Sequence, residues 1–439
     1  MDKKYIVNTL GKCTIQSPLN TLRKYDHIVY HFITDEDRIL HDVTLKSFNQ
    51  CKDNNIEPVS FEKAGPREFI YFDHSKTKVA IVTCGGLCPG LNNVIRSIVH
   101  ELYYRYNVNR IVGIKYGFEG FIPKYDHPVI DLTPDVVEDI YMYGGTILGS
   151  SRGNHDSGEI VDALERMNIN ILFCVGGDGT LRGANDIKIE IEKRNLKIAV
   201  AGVPKTIDND INYIEESFGF ETAVTKASDI ISYAHNEARG AYNGIAIIKL
   251  MGRDSGFIAA HAALSIQEVN FVIIPEIKFD LFGHNGFLSH LKKRIEQKHH
   301  VVIVVAEGAG QFLFENAEIK KDASGNTLHN DIGVYLKDVI HEEFTHRKME
   351  FTIKYIDPSY IIRSAPAIAS DSRFCNQLAQ NAVHAAMAGR TGFVVGNWAD
   401  EFTILPIPLA TESRKKIETD SELWFNVLSS TGQPNSMTN

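Results

Sequence analysis

The feature that most constrains this chain is a series of short, continuous apolar runs, each closed by glycines and polar residues. Val79-Ala80-Ile81-Val82-Thr83 is rich in β-branched residues and is followed by Gly85-Gly86 and Pro89-Gly90. Such a run between turn signals reads as a strand buried on both faces. Residues 92–106 then carry Val94, Ile98, Leu102 and Tyr106 at helical spacing. The alternation recurs, with strands expected at 110–114, 169–175, 197–203, 245–250, 271–274, 301–305 and 392–395. Unalternating strands separated by helices build parallel sheets covered on both faces. Ligands in such folds sit at the carboxyl ends of the strands, where this sequence places its glycines.

At 439 residues the chain exceeds one ordinary domain, so two core-bearing lobes are expected. Residues 1–77 lack the strand–helix rhythm and read as an N-terminal extension, partly structured and packed on the surface. Residues 322–330 read as an exposed loop, and the tail after about 430 as loosely ordered. The apolar share of 44% and charged share of 23% are ordinary. A net charge of −9 argues against a nucleic-acid or membrane-surface protein. Six scattered cysteines suit a reducing compartment, and Cys84 and Cys88 have no second pair at a zinc-like distance. The first residues lack an apolar signal core, and no run reaches a membrane span, so the expected location is the cytoplasm.

Four strand-end motifs carry chemistry. Val175-Gly176-Gly177-Asp178-Gly179-Thr180 follows a buried strand. Its paired glycines admit a polyphosphate to the backbone, and the N–H groups opening the next helix face the negative charge. Asp178 suits Mg²⁺ between phosphate oxygens. This motif points to a nucleotide or phosphate kinase without saying which, since NAD kinases and diacylglycerol kinases also contain it. Gly202-Val203-Pro204-Lys205-Thr206-Ile207-Asp208-Asn209-Asp210 places two carboxylates two residues apart. One can accept a proton from an attacking hydroxyl while the other helps to place metal or phosphate. Thr83 to Asn92 joins the first core strand to a helix, with Gly85 and Gly86 open to an anion. Gly144 to Gly153 offers Arg152 in a Gly/Ser-rich setting, a guanidinium suited to charge that spreads during transfer.

In this order the motifs resemble those of the phosphofructokinases. The match continues through Leu250-Met251-Gly252-Arg253-Asp254-Ser255-Gly256, Ala306-Glu307-Gly308 and Tyr360-Ile361-Ile362-Arg363, and covers about 78 to 408. The resemblance implies an α/β fold of two doubly wound, mostly parallel αβα sandwich lobes behind the extension. Residues 78–218 plus 372–425 would form a nucleotide-binding lobe, and 219–371 plus 426–439 a sugar-phosphate-binding lobe. It also implies a kinase that phosphorylates fructose 6-phosphate with MgATP. Asp208 would be the base, with Arg152, Lys205, Thr206 and Asp210 beside it in catalysis and Asp178 the Mg²⁺ ligand. Gly85, Gly86, Arg152, Gly153, Gly177, Asp178, Gly179 and Thr180 would line the nucleotide phosphates. Thr206, Ile207, Asp208, Met251, Gly252, Arg253, Glu307, Tyr360, Ile361, Ile362 and Arg363 would hold the sugar phosphate. A homo-oligomer, dimer or tetramer, is implied as well.

Two positions speak to the donor. Pyrophosphate users of this family carry aspartate where this chain has Gly179, and a carboxylate there would repel an α-phosphate. Gly179 therefore favours ATP, whereas Lys205 is typical of pyrophosphate users. The pair resembles the long-chain ATP-dependent branch of plants, kinetoplastids and some bacteria. Two alternatives stand beside this reading: pyrophosphate as donor, and a non-catalytic regulatory subunit. The bacterial enzymes place subunit-borne arginines where this chain has Gly244 and Lys354.

Overall fold

A computed structural model describes residues 3–20, 31–153, 155–314, 320–321 and 327–439. Its principal strands are β1 (Arg38–Leu40), β2 (Ser60–Lys63), β3 (Lys78–Thr83), β4 (Arg110–Ile114), β5 (Val129–Asp131), β6 (Ile171–Gly176) and β7 (Ala199–Pro204). They continue with β8 (Gly244–Leu250), β9 (Phe271–Ile273), β10 (His300–Ala306), β11 (Thr352–Ile356), β12 (Phe393–Trp398) and β13 (Glu401–Pro406). The chain divides into two compact units: 1–206, 211–219 and 364–413 form the first, and 207–210, 220–363 and 414–439 the second. The changeovers thus fall at 206, 210, 219, 363 and 413, where the sequence reading had set them at 218, 371 and 425.

The first unit is built on a nine-stranded sheet in the order β1-β2-β13-β12-β7-β6-β3-β4-β5. Its centre, β12-β7-β6-β3-β4, is parallel, and the strands at both edges run antiparallel. All side chains of β6 and β7 are buried, as unalternating runs require. β3 lies between β4 and β6, so the strand order reverses there. That reversal opens a crevice above the carboxyl ends of β3 and β6, the place where an open α/β sheet takes a ligand.

The helix after β3 spans Leu91–His100 and then widens into a π turn at Glu101–Arg105. The spacing had implied one uninterrupted helix to Tyr106. The extra residue in the turn accompanies a buried polar contact: Tyr106 Oη lies 2.8 Å from Nδ1 of His384. His384 belongs to the long helix Ala369–Met387, which packs on this one.

The expectation of a surface-packed N-terminal extension is corrected. β1 and β2 lengthen the main sheet beyond β13, and residues 8–9 and 15–16 pair with 390–391 and 69–70. These strands are too short to display alternation, and burial of Phe61 among Tyr5, His41, Tyr213 and Trp398 drives their docking. A charge network locks the join. Glu62 accepts from Arg67 and from Arg390, each at 2.7 Å, and both guanidiniums also reach Asp35.

The second unit carries four parallel strands in the order β9-β10-β8-β11. Here too the order reverses, next to β8, and the ends of β8 and β10 stand together, with Leu250 opposite Ala306. The tail after 430 is also corrected: it docks along β9. Val272 N–H donates to Gln433 Oε1 at 2.6 Å, Asp280 N–H donates to the Met437 carbonyl at 2.8 Å, and Met437 is buried. Of the loop at 322–330, residues 322–326 lie outside the described residues. Among the described residues no helix is long and apolar enough to cross a membrane.

Removing the Glu62 charge strands two buried guanidiniums. Glu62→Gln is therefore expected to cost about 3–5 kcal/mol of stability, read from denaturant midpoints. Asp35→Asn is expected to cost under about 1 kcal/mol, because the Asp35 side chain is 71% exposed whereas that of Glu62 is 6% exposed.

Candidate active site

In the first unit, register alone brings three loops together. Thr83 stands opposite Val175, and Gly176 opposite Pro204, so the segments after β3, β6 and β7 leave the sheet side by side. Cross-bonds fix them: Cys84 N–H donates to the Val175 carbonyl at 3.0 Å, and Lys205 N–H to that of Gly176 at 2.9 Å. The Gly149–Arg152 segment folds over the same place. Gly85 N–H donates to the Ser151 carbonyl at 3.0 Å, and Ser150 Oγ to the Gly85 carbonyl at 2.5 Å. Gly85 has φ +84°, a conformation that disfavours any side chain.

Charge is supplied to this cradle by two cations. Lys205 Nζ donates to the Gly86 carbonyl at 2.7 Å, and an Arg152 nitrogen lies 3.4 Å from where a Cβ on Gly86 would be. The helix Asp178–Lys193 starts here with Gly177 as N-cap and no side-chain cap. The positive end of its dipole would favour an anion here. Thr180 is buried against Gly176, Gly179 is exposed, and Asp178 pairs with Arg182 one turn on. Gly153, with φ +123°, closes the loop.

The second unit gathers the other set. Glu307 N–H donates to the Leu250 carbonyl at 2.9 Å, and Gly308 N–H to the Gly252 carbonyl at 3.1 Å, which knits the Met251–Arg253 and Glu307 loops together. A Cβ on Gly308 would lie 1.8 Å from the Arg253 carbonyl oxygen, so only glycine permits this approach. The 207–210 segment joins them, with Ser255 Oγ donating to the Asp208 carbonyl at 3.3 Å. Burial raises the Asp208 carboxyl from 3.8 to about 7. Asp210 and Glu307 push the same way, while Arg363 and the backbone N–H of Arg253 pull it down. Asp208, Asp210, Arg253, Glu307 and Arg363 are thus one electrostatic neighbourhood.

The other expected residues are placed as follows. Tyr360 and Ile361 are 83% and 67% exposed on the short helix Ser359–Arg363, while Ile362 points into the core. Met251 and Ile207 are likewise buried, so any part they take falls to their backbone. Thr206 belongs to the first unit, where its carbonyl accepts from Ser217 Oγ at 2.6 Å. A Cβ on Gly244 would lie 2.1 Å from the Ala238 carbonyl oxygen, so this backbone has no room for an arginine there. Lys354 Nζ lies 3.7 Å from Glu237.

Three residues near this set were not foreseen. Lys249 Nζ pairs with Asp331 at 2.7 Å and Asp357 at 2.9 Å, and so ties the end of β8 to the turn that starts the Ser359–Arg363 helix. Its signal was a lone lysine inside an apolar run. His329, in the loop read as exposed, lies beside Arg253, Asp254 and Glu307, and burial lowers its pKa. Arg414 pairs with Asp254 and stands 3.6 Å from Asp210. It opens a basic run that reads as solvated.

Glycine-rich strand-end loops with cations beside them in the first unit, and a buried carboxyl among arginines in the second, are features of an α/β protein of kinase type. The chain belongs to the phosphofructokinase family, whose model, "Phosphofructokinase", matches residues 78–386. It is 53% identical over 439 residues to an "ATP-dependent 6-phosphofructokinase" of Borreliella burgdorferi, covering 99% of this chain and 97% of that one. It is 45% identical to the enzyme of the same name from Amycolatopsis methanolica, covering 98% and 94%. It is also 45% identical to "ATP-dependent 6-phosphofructokinase 1" of Arabidopsis thaliana, covering 97% and 88%. A solved pyrophosphate-dependent phosphofructokinase from Marinobacter aquaeolei shares the fold at a TM-score of 0.66 and 18% identity, covering 80% of this chain and 91% of that one.

The raised Asp208 carboxyl makes a stability prediction. Folded protein keeps a proton between pH 3.8 and about 7 that the unfolded chain has lost, so stability falls as pH rises through that window. Asp208→Asn removes the penalty. Its stability advantage over wild type is expected to grow from about pH 5 to about pH 8 in denaturant titrations; an advantage independent of pH would contradict the assignment.

Proposed function

We propose that the protein transfers the γ-phosphoryl group of MgATP to the 1-hydroxyl of fructose 6-phosphate, giving fructose 1,6-bisphosphate and ADP. The observation that carries this reading is the Asp208 carboxyl, held near neutrality in one neighbourhood with Arg253, Glu307 and Arg363. The names of the relatives at 45–53% identity point to the same donor and the same acceptor class.

Transfer of this kind asks for positioning and charge stabilisation rather than covalent chemistry by the protein. As the sugar oxygen bonds to the γ-phosphorus, the bond from that phosphorus to the bridging oxygen of ADP breaks. The hydroxyl proton goes to Asp208, whose pKa near 7 suits a base working at neutral pH. Arg253 and Arg363 suit the 6-phosphate dianion, and Glu307 can accept from sugar hydroxyls. The exposed Tyr360 and the backbone of Met251 and Gly252 complete this sugar-phosphate side.

The nucleotide phosphates are assigned to the first unit, on Gly85, Gly86, Arg152, Gly153 and the 177–180 helix start. Among the described residues no group of three or more His, Cys, Asp or Glu could cage a metal. Mg²⁺ keeps its waters and enters with the phosphates on one or two carboxylates, and Asp178 at the helix start is the residue that would receive it. When bound, Mg²⁺ offsets the charge of the transferring group.

Gly179 supports ATP over pyrophosphate. It is exposed, and a Cβ there would meet nothing within 4 Å, which leaves the space clear for a larger donor. Lys205 braces the Gly86 carbonyl, a duty either donor could use. A non-catalytic role is not favoured, because Asp178, Asp208 and Asp210 are all present. Assembly as a homo-oligomer, dimer or tetramer, belongs to the same reading.

Asp208→Asn tests the chemistry directly. It is expected to leave both substrates bound near their wild-type affinities while kcat falls by about 10²–10⁴. Near-normal turnover would overturn the role of this residue.

A further inference from the structure

We propose that Arg414 is a positioning residue of the site, its guanidinium bracing the Asp208–Asp210 loop against the Arg253–Ser255 loop by gripping one carboxylate from each. The inference rests on the reading of Asp208 as the base. Arg414 Nη1 pairs with Asp254 Oδ2 and lies 3.6 Å from Asp210 Oδ2. The next residue repeats the tie through its backbone: Lys415 N–H donates to the Asp210 carbonyl at 2.9 Å. Two residues further on, Ile417 N–H and Gly256 N–H both donate to Glu276 Oε1, each at 3.0 Å. The 414–417 segment is thus anchored to both loops independently of the guanidinium.

Those two loops also fix Asp208. Its carbonyl accepts from Ser255 Oγ at 3.3 Å, and its carboxylate accepts from the Arg253 N–H. Arg414 does not need to touch a substrate to matter: it sets the spacing of the loops and offsets Asp210, one of the two acidic groups pressing on Asp208. The other charged groups around Asp208 are Glu307, Arg253 and Arg363, with His329 beside Glu307, Arg253 and Asp254. Glu307 presses on Asp208 from the loop after β10, so removal of Arg414 leaves Asp210 acting beside it without that offset.

The test is the pH dependence of kcat in the full-length enzyme. Arg414→Gln is expected to lower kcat about tenfold to a hundredfold at saturating ATP, leave the KM for ATP near wild type, and move the acid limb to higher pH. Arg414→Lys keeps the charge but loses the fork, so its limb is expected to stay at the wild-type position while kcat falls less. Asp254→Asn frees the guanidinium for Asp210 and is expected to move the limb the opposite way, to lower pH. This variant keeps the proposal testable if Arg414→Gln does not fold. An acid limb unmoved in whichever of these two neutral variants folds would overturn it, whatever the fall in kcat. Asp208→Asn run in parallel separates the two readings: if it is inactive while Arg414→Gln behaves as wild type, only the role of Arg414 falls.

Discussion

A carboxylate placed among other carboxylates in a partly dry pocket is costly, and the second unit bears that cost at Asp208. Asp210 and Glu307 both disfavour its ionised form, and burial disfavours it further. Backbone and cation contacts keep it in place regardless: the Arg253 N–H on its carboxylate, Ser255 on its carbonyl, Arg363 nearby and Arg414 on Asp210. Burial and its acidic neighbours raise this carboxyl toward neutrality, which suits the general base proposed for a sugar hydroxyl.

Both units reach their functional loops by the same device. In each, a strand lies between two neighbours with the order reversing beside it, β3 in the first and β8 in the second. The loops that leave there are cross-bonded within two residues of the strand ends, Cys84 to Val175 in one case and Glu307 to Leu250 in the other. The first unit gathers glycine-rich backbone and cations there, the second acidic and basic side chains. Lys249 extends the device by joining the end of β8 to the turn before Tyr360 through two ion pairs.

Much of this was legible in the sequence because continuous apolar runs declare buried parallel strands, and glycine-rich ends declare where ligands approach. The core strands start within two residues of where Val79–Thr83 and its repeats placed them, and β12 runs on to Trp398, three residues past the expected end. The edge strands were not legible. Ser60–Lys63 carries only Phe61 as an apolar side chain, and its docking depends on Glu62 meeting Arg67 and Arg390, partners 5 and 328 residues away. The same holds for the tail, where Gln433 reads as solvated and yet bonds the backbone of Val272 at both ends of its amide. Arg414 was missed for a related reason. Its partners lie 160 and 204 positions earlier in the chain, and local sequence shows only a cluster of basic residues.

Gly179 and Lys205 resemble different branches of the family, so the choice of donor tests the reading most directly. The direct measurement is production of fructose 1,6-bisphosphate from fructose 6-phosphate by purified protein, with ATP and pyrophosphate supplied separately at equal concentration and Mg²⁺ in excess. Efficient turnover with ATP and none detectable with pyrophosphate is the expected result. Faster turnover with pyrophosphate would contradict the assignment of the open side of Gly179 to the nucleotide.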